Sequence, residues 1–152
     1  MKYSNEELSK QLRCPEGAEA RQIGENMFQS NCNMIFETIN TLDIRPNSKV
    51  FEIGFGNGMH LSYLFERETT LKYQGVEISQ AMVEESNLNN KELVKSGRAA
   101  FINTSESDFS FIPSSSFNYC FSVNKKYAEP AFSFLNISFC LRDTTAVNDL
   151  QL

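Results

Sequence analysis

Tryptophan is absent from the 152-residue chain and histidine occurs once, at His60. Lysine and arginine together number 14 against 19 aspartates and glutamates, a net charge of -5. That balance argues against the broad basic face on which nucleic-acid binding rests. No Cys-x-x-Cys occurs. Cys14, Cys32, Cys120 and Cys140 are scattered, with no histidine beside them, so neither a metal site nor a redox pair is expected. The thiols read as reduced, in a cytoplasmic protein. No apolar window is long enough to span a membrane, and the start, Met-Lys-Tyr-Ser-Asn-Glu-Glu, lacks the apolar run of a secretory leader. Neither Gly-Lys-Ser nor Gly-Lys-Thr is present, which excludes a Walker-type phosphate loop. The length suits one domain with a core that needs no disulfides, and 13 phenylalanines help to supply it.

Against these absences stands Lys49 to Phe65. Val50, Phe51 and Ile53 form a short apolar run with Glu52 inside it. Gly54, Gly56 and Gly58 follow on alternate positions, and Leu61, Leu64 and Phe65 recur at helical spacing. The pattern predicts strand, glycine turn and helix. Glycines permit positive φ and let a ligand approach without meeting a Cβ. The helix is expected to begin near Met59 and to offer its N-terminal N–H groups to a ligand. A dinucleotide fingerprint starting at Gly54 needs its third glycine at position 59, which is Met59. A nicotinamide-dependent oxidoreductase is therefore disfavoured.

Before this stretch, Leu8 and Leu12 suggest a helical turn that Cys14-Pro15 breaks. Ile23, Met27, Met34, Ile35, Ile39 and Leu42 form a helical stripe over 22–42, with Asn31 near it. Asp43 to Ser48 is the turn into the first strand. After it, Lys72 to Ile78 reads as a second strand carrying Glu77, nineteen residues beyond Gly58. A strand-end carboxylate at that separation is placed to accept from a ribose diol. Ser79 is the expected N-cap of one helix running to Val94, and Gly97 its stop. Ala99 to Ile102 and Phe117 to Val123 read as third and fourth strands. The alternation predicts an α/β fold, a doubly wound parallel sheet. His60 reads as a solvated or capping histidine, and Tyr127 as a residue lining the substrate side.

Val50-Phe51-Glu52-Ile53-Gly54-Phe55-Gly56-Asn57-Gly58 resembles the first motif of the class I S-adenosylmethionine-dependent methyltransferases, and Tyr73 to Ser79 their second. Thr104-Ser105-Glu106 with Phe109-Ser110-Phe111 resembles the third less closely, because Ser105 replaces an aspartate. Ser116-Phe117-Asn118 stands where the family writes Ser-Phe-Asp, and Phe121 to Asn124 looks like its fourth-strand end. The likeness covers roughly residues 22 to 142. It implies a Rossmann-like class I fold with S-adenosyl-L-methionine as cofactor and a small-molecule methyl acceptor; the acidic balance and the lack of a long apolar window add the expectation of no nucleic-acid or membrane partner. On the matching positions it implies Glu52 near the methionine part and backbone contacts at Gly54, Phe55, Gly56 and Gly58. Glu77 and Ile78 would meet the ribose and its neighbourhood, Ser105 or Glu106 the adenine amino group, and Asn124 the cofactor-facing strand end. No residue is assigned to catalysis and none to a metal.

The family continues with Leu-Lys-Pro-Gly-Gly and three further strands, where this chain has Cys140-Leu141-Arg142-Asp143 and ten residues after Arg142. The expected organisation is a helical segment over 1–48, an incomplete cofactor-binding domain over 49–142 with its C-terminal strands missing, and a tail over 143–152. Four strands in the order 3-2-1-4 would leave the fourth as an edge, with Phe121 and Val123 poorly covered, and open to self-association. A truncated, non-catalytic cofactor-binding or interaction fragment is the alternative to an active methyltransferase.

Overall fold

The computed structural model describes residues 3–104 and 116–123. Within them the order is α1 (Asn5–Arg13), α2 (Ala20–Thr41), β1 (Lys49–Ile53), α3 (Leu61–Arg67), β2 (Lys72–Glu77), α4 (Gln80–Asn89), α5 (Lys91–Lys95), β3 (Ala99–Asn103) and β4 (Tyr119–Phe121). The strands form one parallel sheet in the order β3-β2-β1-β4. Parallel neighbours need crossovers, which α3 supplies between β1 and β2 and α4 with α5 between β2 and β3. This is the α/β parallel sheet with flanking helices expected from the alternation.

Register follows the apolar positions. Val50 pairs with Tyr73 on one side and with Tyr119 on the other, and Tyr73 pairs in turn with Ala99. All four belong to the main core cluster, with Ile39, Leu42, Leu61, Leu64, Phe65, Leu71, Val83 and Phe121. Val50, Phe51 and Glu52 are consecutive and all buried. Both faces of β1 are therefore covered, as a central parallel strand requires. The turn into β1 uses Asp43 and Asn47 at φ 45° and 62°, residue types that tolerate the left-handed region.

Several expectations need correction. β4 is three residues long where seven were expected. Beyond its ends side chains add to the pairing: Asn118 N donates to Lys49 O and its Oδ1 accepts from Lys49 N, both at 2.8 Å, and Ser122 Oγ donates to Ile53 O at 2.9 Å. Phe121 is 1% exposed within the core, and Val123 packs half-buried against the same cluster, so neither is poorly covered. The helix after Ser79 is two. Asn90 ends α4 and begins α5, because its side-chain amide donates to Gly58 O and Ser86 O rather than facing solvent. The stripe on α2 is buried only toward its ends, at Ile23, Ile39 and Leu42, whereas Met34 is 45% exposed. A 22-residue helix is about 33 Å long, well beyond the reach of strands of five or six residues.

Ser105, Glu106, Phe109 to Phe111, Asn124, Tyr127 and the segment from 129 to 142 lie outside the described residues, and so do the boundaries drawn there.

Candidate cofactor site

The glycine turn leaves β1 at its carboxyl end, beside the end of β2. Gly54, Gly56 and Gly58 adopt φ of 76°, 60° and 66°, a region costing any other L-residue about 1–2 kcal/mol. The last two glycines serve different ends. A Cβ on Gly58 would lie 2.8 Å from Ser86 Oγ and 2.9 Å from Asn90 Nδ2, whereas one on Gly56 would meet nothing within 4 Å. Gly58 is demanded by packing against α4, and Gly56 presents an open backbone face.

Helix α4 holds the turn from behind. Ser86 Oγ donates to Gly56 O, Asn89 Nδ2 to Asn57 O and Asn90 Nδ2 to Gly58 O, each at 3.0 Å. Three consecutive carbonyls are thus fixed by three side chains of one helix end. In the sequence these residues read as the polar face of a helix, and nothing in their spacing marks them as a clamp.

Glu77 ends β2 and reaches onto the turn. Its Oε2 accepts from Gly56 N at 3.0 Å, and its Oε1 from Ile78 N at 2.9 Å and Ser79 N at 3.2 Å. Glu77 and Gly56, singled out separately in the sequence, are brought into direct contact. The carboxylate holds the Gly56 N–H while the Cβ side of Gly56 stays open, and Ile78 is half-buried beside Glu77. Ser79 is fully buried and caps α4 by accepting from Met82 N, while its hydroxyl donates to Pro15 O. Asn103, at the end of β3, donates to Glu77 O and Ile78 O, both at 2.9 Å, and steadies the same corner.

Glu52 is 2% exposed. His60 Nε2 donates to its Oε2 at 2.8 Å and Tyr73 Oη at 2.6 Å. The solvated or capping reading of His60 is therefore corrected: the ring is 2% exposed and ties the start of α3 to β1. A buried carboxylate is stable only where such donors answer it, and its position on the strand gave no sign of which residues those were. Burial, then the Glu52 carboxylate, holds the Tyr73 phenol well above its ordinary range. Burial followed by Glu52 pushes the Cys120 thiol up to about 11. Phe55 also lies inward. Its ring packs 5.0 Å from Phe101 within the core, so only its backbone borders the turn's open side.

The N–H groups of the turn are largely spent within the chain. Gly54 donates to Val76 O, Gly56 to Glu77, Gly58 to Phe55 O, Met59 to Asn57 Oδ1 and Leu61 to Gly58 O. α3 starts at Leu61, two residues later than expected, and has seven residues. The expected helix start is thereby corrected, and of the first N–H groups of α3 that of Leu61 is spent on Gly58 O. What the turn presents is a carboxylate, which suits hydrogen-bond donors and cations rather than a phosphate.

No family model matches the sequence, and neither does any curated protein. Solved structures do match. The protein solved in complex with the Trm112 methyltransferase activator of Haloferax volcanii is 16% identical, over 76% of this chain and 46% of its own, with a TM-score of 0.58. The [4+2]-cyclase SpnF is 15% identical over 60% of this chain and 34% of its own, at 0.51. A methyltransferase from Thiobacillus denitrificans, solved with S-adenosyl-L-homocysteine, is 19% identical over 57% of this chain and 36% of its own, at 0.46. The chain thus spans about a third to a half of the length of these structures. With the parallel order β3-β2-β1-β4 and the glycine turn after β1, the fold is class I methyltransferase-like.

Proposed function

We propose that this chain binds S-adenosyl-L-methionine and transfers its methyl group to a small-molecule acceptor. The observation that carries this reading is the Glu77 carboxylate at the end of β2, bonded to the Gly56 N–H of a glycine turn whose Gly56 Cα side is open. An acceptor-only group there suits the two hydroxyls of a ribose, with charge-assisted bonds of about 1.5–3 kcal/mol each. The same group tolerates a sulfonium, and a dinucleotide is disfavoured by Met59 where its fingerprint needs a third glycine. When bound, the cofactor supplies the activated methyl group. The chain's part is to bind, orient and exclude water. Glu52 belongs to this proposal as a positioning residue, because its Oε2 is committed to His60 and Tyr73. Gly54, Phe55 and Gly58 contribute backbone and packing, Ile78 a neighbouring wall, and Ser105, Glu106 and Asn124 complete the proposed set.

Cofactor binding without turnover is the second reading. It draws support from SpnF, a [4+2]-cyclase that shares this fold. Self-association through β4 stays in the proposal, because among the described residues this strand pairs only with β1. Sedimentation as a dimer would support it, and a monomer would refute it.

The test is thermal unfolding with S-adenosyl-L-methionine, S-adenosyl-L-homocysteine and a nicotinamide dinucleotide. A ligand at a hundred times its Kd stabilises the native state by about 2.7 kcal/mol. Adenosyl ligands should raise the midpoint, the dinucleotide should not, and Glu77→Gln should abolish the response while keeping a cooperative transition. A wild-type chain that unfolds cooperatively and ignores every adenosyl ligand refutes the proposal. Product formation with a panel of acceptors then separates turnover from binding.

A further inference from the structure

Among the described residues no lysine or arginine is buried. The buried ionisable groups are Glu52, His60, Tyr73 and Glu77, with half-buried Cys120 on the neighbouring strand β4. The helices add no charge to this set. The buried polar residues of α2 and α4 are Thr38 and Ser86, with Asn90 at the end of α4, and the buried residues of α3 are apolar. The ionisable groups are connected. Glu52 Oε2 accepts from both His60 Nε2 and Tyr73 Oη, and the charges of Glu52 and Glu77 both reach the Tyr73 phenol. Tyr73 is held above its ordinary range and Cys120 at about 11, so both keep their protons at neutral pH. Histidine is the side chain whose ordinary titration falls between about pH 5 and 8. His60 is therefore the one buried group here that can carry a positive charge, and it shares an oxygen of the carboxylate on β1.

A sulfonium brought to this end of the sheet and an imidazolium at His60 would answer the same negative charge. Two like charges in a buried site oppose each other. We propose that His60 is a specificity-determining residue whose proton sets the choice between the cationic methyl donor and the neutral thioether that remains after transfer. With His60 neutral the donor is favoured, and with His60 protonated the thioether is favoured. Because Nε2–H stays on Glu52, the proton that comes and goes is the one on Nδ1: donor binding breaks that N–H bond and the proton passes to solvent. The inference rests on the cofactor reading above and adds regulation to it, since falling pH tilts the site toward the spent thioether.

The experiment compares S-adenosyl-L-methionine with S-adenosyl-L-homocysteine, which share the adenosine and the amino-acid arm and differ in the sulfonium. Dissociation constants are measured from about pH 5.5 to pH 8 for wild type and His60→Gln, whose amide can still donate to Glu52 and cannot titrate. His60 is the chain's one histidine, so its ring resonance is followed by proton NMR in each complex without any substitution, and the test survives if the variant fails to fold. In wild type the ratio of the donor's Kd to the thioether's should rise about tenfold as pH falls, and the His60 midpoint should lie about one pH unit lower in the donor complex. In His60→Gln the ratio should be flat. A flat ratio in wild type, one midpoint shared by the two complexes, or a pH-dependent ratio that persists in folded His60→Gln overturns the assignment and leaves the cofactor reading standing. If wild type binds neither ligand, the cofactor reading falls and this inference with it.

Discussion

Alanine at Gly58 and alanine at Gly56 should behave oppositely, although the two glycines are two residues apart and share the same backbone region. Each substitution places a Cβ at positive φ, at 66° and 60°, and costs about 1–2 kcal/mol for that alone. At Gly58 the methyl would also meet Ser86 Oγ at 2.8 Å, Asn90 Nδ2 at 2.9 Å and Ser86 Cβ at 3.0 Å. Those atoms hold the turn through Gly56 O and Gly58 O and can yield only by giving up those bonds. Overpacking of this kind adds about 1–3 kcal/mol. Gly58→Ala should therefore lose about 2–5 kcal/mol and Gly56→Ala about 1–2 kcal/mol. Binding should divide the other way. The methyl at Gly56 intrudes on the open face beside Glu77 and should abolish adenosyl-ligand binding in a protein that is still folded. Urea midpoints give the stabilities and calorimetric titration the affinities. Equal destabilisation by the two substitutions, or undiminished binding by Gly56→Ala, would refute the division of labour drawn between these glycines.

Alkaline pH should weaken the fold. The Cys120 thiol is held at about 11 against an ordinary 9.0, and the Tyr73 phenol is raised in the same sense. A raised value means that the stability is fully present below about pH 9 and is lost as pH rises toward 11. At 1.36 kcal/mol per pH unit the thiol alone accounts for roughly 3 kcal/mol. Urea midpoints across pH 8–11 should fall, and Cys120→Ala should flatten the fall; a flat wild-type profile would contradict the burial described. Tyr73→Phe removes one donor from buried Glu52 without altering the ring and should cost about 1–3 kcal/mol, read as a lower urea midpoint. Ser79→Ala removes both the α4 cap and the bond to Pro15 O. It should cost about 1–2 kcal/mol, and limited proteolysis should cut sooner near Pro15 than in wild type.

Most of the scaffold was legible because it rests on local patterns. The strand from Lys49, the glycine turn, Glu77 at the end of β2, the Ser79 cap and the left-handed Gly97 each follow from a few adjacent residues, and the structure has all of them. The parallel order follows from the alternation of strand and helix. What sequence did not disclose is non-local. Ser86, Asn89 and Asn90 clamp carbonyls about thirty residues away, and along the chain they are indistinguishable from a solvated helix face. His60 sits eight residues from Glu52 and the pair is buried, but a lone histidine after a turn carries no mark of burial.

Backbone amide resonances read during titration with S-adenosyl-L-homocysteine test the central claim most directly. Glu77 holds Gly56, Ile78 and Ser79 N–H through its carboxylate. If that carboxylate turns to a ribose diol, these three amides must shift together and saturate at one ligand per chain. The amide of Gly58, turned into packing with α4, should move less. Shifts confined to another part of the sheet, or none in a folded chain, would contradict the claim that Glu77, bonded to the Gly56 N–H, is the cofactor's seat.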